Sequence, residues 1–246
     1  MVLITGGAGG MGIAISLLLR NLGCKIAVID ISQDALSRLR EQLNDENVLP
    51  LHADITKPDN CEKAVNDTIA SFGRLDILIN AAGLWVEGPS DSMTETDYDR
   101  IMNVNLKGAF FMIKYSIKYL ELVKGQIINI ASDAGIKGEG SASIYSASKG
   151  GLILLTKSLA IELAERGIHV NAICPADVET PMLTFQATTY SPSDPESYYN
   201  NLKKNYPQGK HTRFIRPDEI ALFIKSIAEI ECITGAELKI DFGTTA

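Results

Sequence analysis

The sequence predicts an α/β fold: a single doubly wound domain with a seven-stranded, mainly parallel sheet and helices on both faces. Two observations predict it. Short apolar runs alternate with longer amphipathic segments along all 246 residues, which is the pattern of strand–helix–strand units. The runs are apolar at successive positions, as expected for parallel strands that helices cover on both sides. The length suits one domain of this kind.

Seven segments have the composition of buried strands, and six have the apolar spacing of three and four residues that is typical of helices. The predicted strands are residues 2–5, 25–30, 47–51, 75–80, 125–132, 168–175 and 237–241. The predicted helices are residues 11–22, 33–43, 58–72, 97–121, 146–166 and 217–229. The last helix has Pro217 in its first turn, followed by two acids that suit the helix dipole. With right-handed crossovers, these elements form one Rossmann-type domain over residues 1–246.

Residues 181–216 are the one irregular stretch, rich in Ser, Pro, Asn and Tyr. A long insertion after the carboxyl end of a strand is more often functional than a boundary between domains. Ligands of doubly wound sheets bind above those strand ends. We therefore predict that residues 181–216 form a mobile lid over a substrate site.

Composition excludes several classes of protein. The net charge of −7 argues against a nucleic-acid surface, which needs a basic face. No apolar run is long enough to cross a membrane, and the N-terminus has no signal-peptide pattern. The four cysteines are far apart and the three histidines are scattered, so we expect reduced thiols and no metal site. These features predict a soluble, cytoplasmic protein.

The stretch ITGGAGGMGIAIS, residues 4–16, connects the first predicted strand to the first helix. Two glycine patterns fit it. The pattern G-x-G-x-x-G takes Gly7, Gly9 and Gly12. The pattern T-G-x-x-x-G-x-G takes Thr5, Gly6, Gly10 and Gly12. Both describe a strand that turns into a helix whose N-terminus binds a pyrophosphate, and this stretch alone fits either.

Asp30 ends the second predicted strand, 18 residues after Gly12. A carboxylate at about this spacing accepts hydrogen bonds from the ribose hydroxyls of an adenine dinucleotide. It would repel a 2′-phosphate by roughly 4 kcal/mol, taking a separation of about 4 Å and an effective dielectric of about 20. No Arg or Lys lies between Gly6 and Gly12, and Ile31 follows the acid. The sequence therefore predicts NAD rather than NADP as the cofactor.

Three Y-x-x-x-K pairs occur in the chain. They are Tyr145/Lys149, Tyr199/Lys203 and Tyr206/Lys210. This spacing places both side chains on one face of a helix. Only the first pair lies between a strand that ends near Ser132 and a strongly apolar helical segment. We interpret the other two pairs, in the irregular stretch, as surface residues.

Taken in chain order, the motifs resemble those of the short-chain dehydrogenase/reductase family over essentially the whole sequence. They are TGGAGGMG, Asp30, ADIT with Asp54, NAAG at 80–83, NVNLKG with Asn105, Ser132, YSASK with Tyr145 and Lys149, and PADVETPM at 175–182. Each motif alone is weak, but the ordered set is highly specific. It favours T-G-x-x-x-G-x-G as the applicable glycine pattern.

The resemblance implies a catalytic role for four residues. Tyr145 would be the general acid/base, and Ser132 would polarise the substrate oxygen. Lys149 would hold the nicotinamide ribose, and Asn105 a water that relays protons. A free phenol has a pKa near 10, so Tyr145 needs help to act as a base. One positive charge at about 4 Å is worth roughly 4 kcal/mol, enough to lower the pKa by two or three units at about 1.4 kcal/mol each.

The resemblance also implies further cofactor contacts. Asp54 and Ile55 would lie beside the adenine. The cofactor would also contact the main chain of Asn80, Ala81 and Gly83. Pro175, Val178 and Thr180 would hold the carboxamide. The contacts from the glycine loop and the second strand would be Gly6, Gly9, Gly10, Met11, Gly12, Asp30 and Ile31, and those from the catalytic pair would be Tyr145 and Lys149.

Three positions depart from the family pattern. Ala81 stands where a second Asn is frequent. Ala176 and Phe242 stand where glycine is usual. Because glycine allows backbone conformations that other residues avoid, we expect the last two changes to reshape the loops at the carboxamide and at the substrate pocket.

The sequence thus predicts an NAD-dependent oxidoreductase that interconverts a small secondary alcohol and a ketone. The polar residues of 181–216 hint at a polyol, sugar or hydroxy acid. Family resemblance implies a homotetramer that pairs the helices at 97–121 and 146–166. Two alternatives stay open: a reductase of 3-oxoacyl thioesters, against which Asp30 and the acidic charge weigh, and a catalytically silent dinucleotide sensor, which would be expected to lack Tyr145 or Lys149.

Overall fold

The computed structural model describes residues 1–43 and 45–246 and confirms the predicted fold class. The described residues form a seven-stranded sheet in the order β3-β2-β1-β4-β5-β6-β7, and every neighbouring pair of strands is parallel. The strands are β1 Val2–Thr5, β2 Ile26–Asp30, β3 Val48–His52, β4 Ile77–Asn80, β5 Gln126–Ile130, β6 His169–Pro175 and β7 Glu237–Ile240.

Helices cover both faces of this sheet. They are α1 Gly10–Asn21, α2 Gln33–Leu43, α3 Pro58–Phe72, α4 Glu95–Met102, α5 Ala109–Glu121, α6 Ala134–Lys137, α7 Ser143–Glu162, α8 Pro181–Tyr190, α9 Pro195–Lys203 and α10 Pro217–Ala228. Side chains alternate along a strand, so neighbours in β1 enter different cores. Ile4 packs with α1, α2 and α10, and Leu3 packs with α3, α5 and α7.

The strand order reverses between β1 and β4. The chain runs from β1 outward to β3, and then returns to the other side of β1 to add β4 to β7. The loops that leave these two central strands diverge at this point and open a crevice, where doubly wound sheets bind their ligands. Both candidate cavities described below lie at this edge.

The predicted helix at 97–121 is divided by a wider turn. Residues Asn103–Gly108 form a π-helix between α4 and α5. A π-helical turn contains one residue more than an α-helical turn, and such turns occur frequently at functional sites. Apolar spacing is too coarse to reveal one extra residue. The segment contains Asn105, which is fully buried.

Residues 181–216 are more regular than their composition indicates, because they contain α8 and α9. Each helix begins with a proline, Pro181 or Pro195, which is well tolerated in a first turn. The carboxylate of Asp194 accepts a hydrogen bond from Ser197 N at 3.0 Å and caps α9. The apolar residues of α8 are spread around the helix rather than along one face, so the periodicity that predicts a helix is missing.

The interpretation of Tyr206 as a surface residue is wrong, because the structure buries it. Its hydroxyl donates to Asp177 Oδ2 at 3.0 Å and accepts from Asp177 N at 2.9 Å. Its ring packs against Phe214 and Phe242. Tyr199 is half-buried, with its ring centre 5.9 Å from that of Phe214. Tyr206 is buried by residues from other parts of the chain, such as Asp177 and Phe242, and the sequence around Tyr206 does not reveal these contacts.

In the described part of the chain, none of the helices combines the length and the apolar character that a membrane crossing needs.

Candidate active site

The loop from β1 to α1 has glycine where a side chain would collide with main chain or with the next loop. Gly6 has a φ of +64°, and a Cβ there would lie 2.7 Å from Ala82 Cα. At Gly10 it would lie 2.6 Å from the Thr180 side chain. At Gly12 it would meet the carbonyl oxygen of Gly6 far inside van der Waals contact. These are the glycines of the T-G-x-x-x-G-x-G pattern, which therefore describes this loop.

The other glycine pattern fits less well. A Cβ on Gly9 would approach only Gly6 O, at an ordinary 3.4 Å. A Cβ on Gly7 would lie 2.6 Å from Val28 Cγ1, in the core between the sheet and helices α1, α2 and α10. Gly7 thus allows close packing of the loop on β2, and Gly9 meets no neighbour that excludes a side chain.

This difference leads to a stability prediction for Gly12→Ala. The added methyl forces the α1 N-terminus away from Gly6, and we expect it to lower the free energy of unfolding by about 1–3 kcal/mol, the usual effect of overpacking. Gly9→Ala is the matched control, expected to stay near the parent protein. Urea unfolding without dinucleotide measures both. Equal stabilities of the two variants would contradict the steric assignment.

A cavity of about 400 Å³ lies above this loop, at the crevice between β1 and β4. Twelve of the predicted cofactor residues line it. They are Gly6, Gly9, Gly10, Met11, Gly12, Asp30, Ile31, Asp54, Ile55, Ala81, Gly83 and Thr180. The wall includes the N-terminus of α1 and the carboxylates of Asp30 and Asp54. This arrangement fits a dinucleotide whose pyrophosphate binds at the N-terminus of α1.

Asp30 is held in place by main-chain donors at the end of β2. Its Oδ2 accepts from Ala8 N at 3.2 Å, and its Oδ1 accepts from Ser32 N at 3.0 Å. Asp54, also on the cavity wall, accepts from Thr56 N at 2.9 Å. Among the described residues that line this cavity, none is a lysine or an arginine. Nothing in that wall therefore offsets the negative charge of Asp30.

Five predicted cofactor residues lie outside this wall: Asn80, Tyr145, Lys149, Pro175 and Val178. The Asn80 side chain is buried within the sheet and donates to Asn129 Oδ1 at 2.9 Å. Pro175 and Val178 instead line a second, adjoining cavity of about 180 Å³. The two cavities share Met11, Thr180 and Met182 in their walls, so they are neighbouring compartments of one crevice.

Ser132 and Tyr145 line the second cavity. Ser132 follows β5, and Tyr145 belongs to the first turn of α7, so the two reach the cavity from different elements. The Ser132 hydroxyl donates to Asp133 Oδ1 at 3.1 Å and accepts from Ala134 N at 3.2 Å. The Tyr145 ring is nearly buried and packs against Trp85, with the ring centres 4.4 Å apart.

Lys149 lies one turn further along α7 and is buried. Its Nζ donates to the carbonyl of Ile130 at 2.8 Å and lies 5.8 Å from the centre of the Tyr145 ring. A Cβ on Gly83 would lie 3.5 Å from that Nζ, which is an ordinary contact distance. Burial lowers the pKa of Lys149 to about 8.

The electrostatics at Tyr145 differ from the prediction that Lys149 lowers the phenol pKa. Burial raises the pKa of Tyr145 above its ordinary value. The nearby Ser132 hydroxyl lowers it, whereas the carboxylates of Asp133 and Asp177 raise it further. Desolvation is the largest influence on this phenol in the protein alone.

Asn105 connects the loop after β4 to α7. Its Oδ1 accepts from Leu84 N at 2.8 Å, and its Nδ2 donates to Leu84 O and to Ser148 Oγ, each at 3.0 Å. Ser148 in turn donates to the carbonyl of Tyr145 at 2.7 Å. Both amide hydrogens of Asn105 thus bond to protein groups. Asn105 is thus linked through Ser148 to the Tyr145 backbone, and a water could bond only to the remaining lone pair of Oδ1.

Sequence reasoning missed the charged residues of the second cavity. They are Glu87, Asp133, Lys137, Glu139 and Asp177. Two had an available signal, because Asp133 directly follows Ser132 and Asp177 belongs to the predicted motif at 175–182. Burial raises the pKa of Asp177 to about 6, although the hydrogen bond from Tyr206 opposes this effect.

Ala176 and Phe242, which stand where the family usually has glycine, differ in their backbone conformations. Ala176 has no left-handed backbone, and its N–H donates to Ile240 O at 3.0 Å. Phe242 has a φ of +52°, a conformation that favours glycine. Its ring lies 4.9 Å from the Arg213 guanidinium and packs on Tyr206, and its carbonyl accepts from Gln208. These contacts with residues of the 181–216 segment hold Phe242 in its strained conformation.

A glycine cradle at the strand-order reversal, beside a buried tyrosine and lysine, is the arrangement of a nucleotide-dependent oxidoreductase. The sequence profile of the family described as short chain dehydrogenase matches residues 1–191. The chain belongs to this family, which confirms the resemblance predicted from its motifs. It is an oxidoreductase of the alcohol dehydrogenase and ketoreductase type, and its family binds a nicotinamide dinucleotide.

Similarity to individual relatives extends over the whole chain. The 3-oxoacyl-[acyl-carrier-protein] reductase FabG of Thermotoga maritima is 35% identical over 246 residues, which cover 98% of this chain and 96% of the relative. The meso-2,3-butanediol dehydrogenase of Serratia marcescens is 29% identical, covering 100% and 94%. The solved structure of 3-ketoacyl-(acyl-carrier-protein) reductase from Brucella melitensis complexed with NADH has a TM-score of 0.89 and is 28% identical, covering 100% and 98%.

Proposed function

We propose that this protein uses NAD(H) to interconvert a small secondary alcohol and its ketone, with Tyr145 as the general acid/base. One observation carries the proposal. The cavity that Tyr145 and Ser132 line shares three wall residues with the cavity above the glycine loop. A substrate at the tyrosine therefore lies next to a dinucleotide bound in the crevice.

The cradle at Gly6, Gly10 and Gly12 fits a pyrophosphate, and Asp30 fits the ribose hydroxyls. When bound, the nicotinamide supplies or accepts the hydride. The protein supplies the proton: Tyr145 donates its hydroxyl proton to the ketone oxygen during reduction and removes it from the alcohol during oxidation. Ser132 holds the same oxygen by a hydrogen bond. Lys149 holds the nicotinamide ribose. Asn105 fixes the position of α7 relative to the loop after β4, because it bonds to Ser148 and to Leu84.

The proposed preference for NAD is supported by the charges at the adenosine end of the cavity. Asp30 lines this end of the cavity and would repel a 2′-phosphate beside it, and the described wall has no cation to neutralise one. At about 4 Å and an effective dielectric of about 20, the repulsion is roughly 4 kcal/mol. This is large enough to decide between the two dinucleotides.

A panel of secondary alcohols and ketones tests the proposed function. The purified protein is assayed with NAD(H) and with NADP(H), and turnover is followed by nicotinamide absorbance. We expect turnover of small substrates, faster with NAD(H) than with NADP(H). Failure of every substrate, together with no dinucleotide binding by calorimetry, would overturn the proposal.

A reductase of 3-oxoacyl thioesters is the second candidate, and the similarity to the Thermotoga and Brucella enzymes favours it. The substrate cavity weighs against it. Four carboxylates line it, and their negative charge repels an acidic carrier that brings a thioester to the site. An acetoacetyl thioester in the panel distinguishes the candidates. Faster reduction of that thioester than of any small ketone would favour the second.

We propose that residues 181–216 act as the lid over the substrate. Support comes from α8 and α9, whose residues contribute Leu183, Gln186, Tyr198 and Leu202 to the cavity wall. Two hydroxyls fasten this segment to the loop after β4. Tyr198 donates to Glu87 Oε2 at 2.7 Å, and Tyr190 accepts from Glu87 N at 3.1 Å. Such contacts can break and form as substrate enters and leaves.

We further propose a homotetramer in the cytoplasm. Large apolar side chains on the outer faces of α5 and α7 support the assembly, since Phe110 is 42% exposed, Leu154 65% and Ile161 81%. Exposed apolar patches of this kind mark protein interfaces. The four free thiols support a reducing compartment. Sedimentation of the native protein measures the assembly mass.

A further inference from the structure

The substrate cavity carries more charge than a site for a simple ketone needs. Four carboxylates, from Glu87, Asp133, Glu139 and Asp177, line it together with one ammonium group, from Lys137. Across residues 1–43 and 45–246, no group of three such side chains is arranged to hold a metal ion.

Two of the acids are compensated within the protein. Lys137 Nζ lies 3.0 Å from Asp133 Oδ2 and 3.9 Å from Glu139 Oε2. Asp133 also accepts hydrogen bonds from Ser132, Ala134 N and Thr244. This side of the cavity has its charges paired and its oxygens occupied.

Glu87 and Asp177 are held differently, because only neutral donors contact their carboxylates. Glu87 Oε2 accepts from Trp85 Nε1 at 2.9 Å and from Tyr198 at 2.7 Å. Asp177 Oδ2 accepts from Tyr206 at 3.0 Å. Among the described residues, no donor bonds to the second oxygen of either carboxylate. Each acid therefore presents one fixed oxygen and one available acceptor.

The cavity wall thus offers two available acceptors, the second carboxylate oxygens of Glu87 and Asp177, and one charged donor, the ammonium group of Lys137. The hydroxyl protons of Tyr198 and Tyr206 are already donated to Glu87 and Asp177. A hydroxyl both donates and accepts, so it can bond to either kind of wall group, whereas an ammonium can only donate. A carboxylate or phosphate on the substrate would face uncompensated negative charge.

We propose that the substrate is a small neutral polyol or its ketose, and that Glu87 and Asp177 select it by accepting hydrogen bonds from hydroxyls that do not react. This inference rests on the proposed alcohol–ketone function and names its substrate class. Sites built to bond a substrate hydroxyl discriminate strongly against an analogue that lacks it, because their buried polar groups then stay unpaired.

The test compares four secondary alcohols of equal chain length with the full protein and each dinucleotide. They are ribitol, a monohydric pentanol, a hydroxypentanoate and an aminopentanol. We expect kcat/KM for ribitol to exceed that for the pentanol by about 10²-fold or more, and the hydroxypentanoate to be the poorest substrate. This ranking needs no variant, so it does not depend on whether a substituted protein folds.

Two variants then test the residues. Glu87→Gln and Asp177→Asn keep the size of each side chain and remove its charge. We expect each to lower the ribitol-to-pentanol ratio of kcat/KM by about tenfold, the weight of one hydrogen bond to a charged group, and to improve the relative rate with hydroxypentanoate. Glu196→Gln is the control, because Glu196 is exposed on α9 and outside the cavity wall.

The outcomes separate this inference from the proposed function. Turnover of the pentanol without any gain for ribitol overturns the polyol inference and leaves the proposed function standing. Preference for the aminopentanol means selection by charge and likewise overturns it. No turnover of any alcohol or ketone with either dinucleotide overturns both.

Discussion

Tyr145→Phe is expected to lower kcat by about 10³-fold or more in both directions while NADH affinity stays within a few-fold. The substitution removes the proton that the reaction exchanges, and general acid–base catalysis is commonly worth 10²–10⁴-fold. It keeps the ring that packs against Trp85 at 4.4 Å, so the cavity stays filled. Steady-state assays measure kcat, and titration of NADH fluorescence measures affinity.

Tyr199→Phe is the matched control, because Tyr199 belongs to a second Y-x-x-x-K pair outside both cavity walls. We expect this variant to keep nearly full activity. Parent-like turnover by Tyr145→Phe would contradict the catalytic assignment, and equal losses in both variants would indicate a general structural effect.

The pH dependence of the parent protein supplies a second readout for Tyr145. Burial raises the pKa of its phenol, so the protonated form predominates at neutral pH. Alcohol oxidation uses the deprotonated form and ketone reduction uses the protonated form. Oxidation should therefore rise with pH, by about tenfold per unit below the apparent pKa, while reduction falls as that pKa is passed. The positive charge of the oxidised nicotinamide lowers this apparent pKa.

Asp30→Ala is expected to change the ratio of kcat/KM for NAD to that for NADP by up to about 10³-fold in favour of NADP. This factor corresponds to the roughly 4 kcal/mol of repulsion between the carboxylate and a 2′-phosphate. Steady-state kinetics with both dinucleotides and one fixed substrate measure it. An unchanged ratio would mean that another residue determines the choice.

Asp30 also accepts hydrogen bonds from Ala8 N and Ser32 N, so alanine removes structural contacts as well as charge. Asp30→Asn separates the two effects, since the amide oxygen can still accept while the charge is lost. Asp34→Ala, on the exposed first turn of α2, has the same change of charge and is expected to leave the ratio unaltered. A similar shift in Asp34→Ala would indicate a long-range effect of net charge.

Local patterns in the sequence were sufficient for the seven strands, because buried parallel strands are short and apolar throughout. The predicted bounds of α2 and α3 also agree with the structure. The π-helix around Asn105 could not be predicted, since it differs from an α-helix by one residue in a segment whose apolar spacing hardly changes. The helices of 181–216 were missed because α8 packs over a partly polar cavity and has no single apolar face.

The sequence by itself determined the fold class and the family, and it supplied the proposed reacting groups, because each depends on residues close together in the chain or on motifs in a characteristic order. Tertiary structure alone decided the burial of Tyr206 and the bond from Lys149 Nζ to the carbonyl of Ile130, and it supplied the steric reason for the glycine pattern that the ordered motifs favour. It also brought Glu87, Asp133 and Asp177 to one cavity. These three acids follow three different strands, β4, β5 and β6. The sequence alone does not give the distances between the ends of those strands.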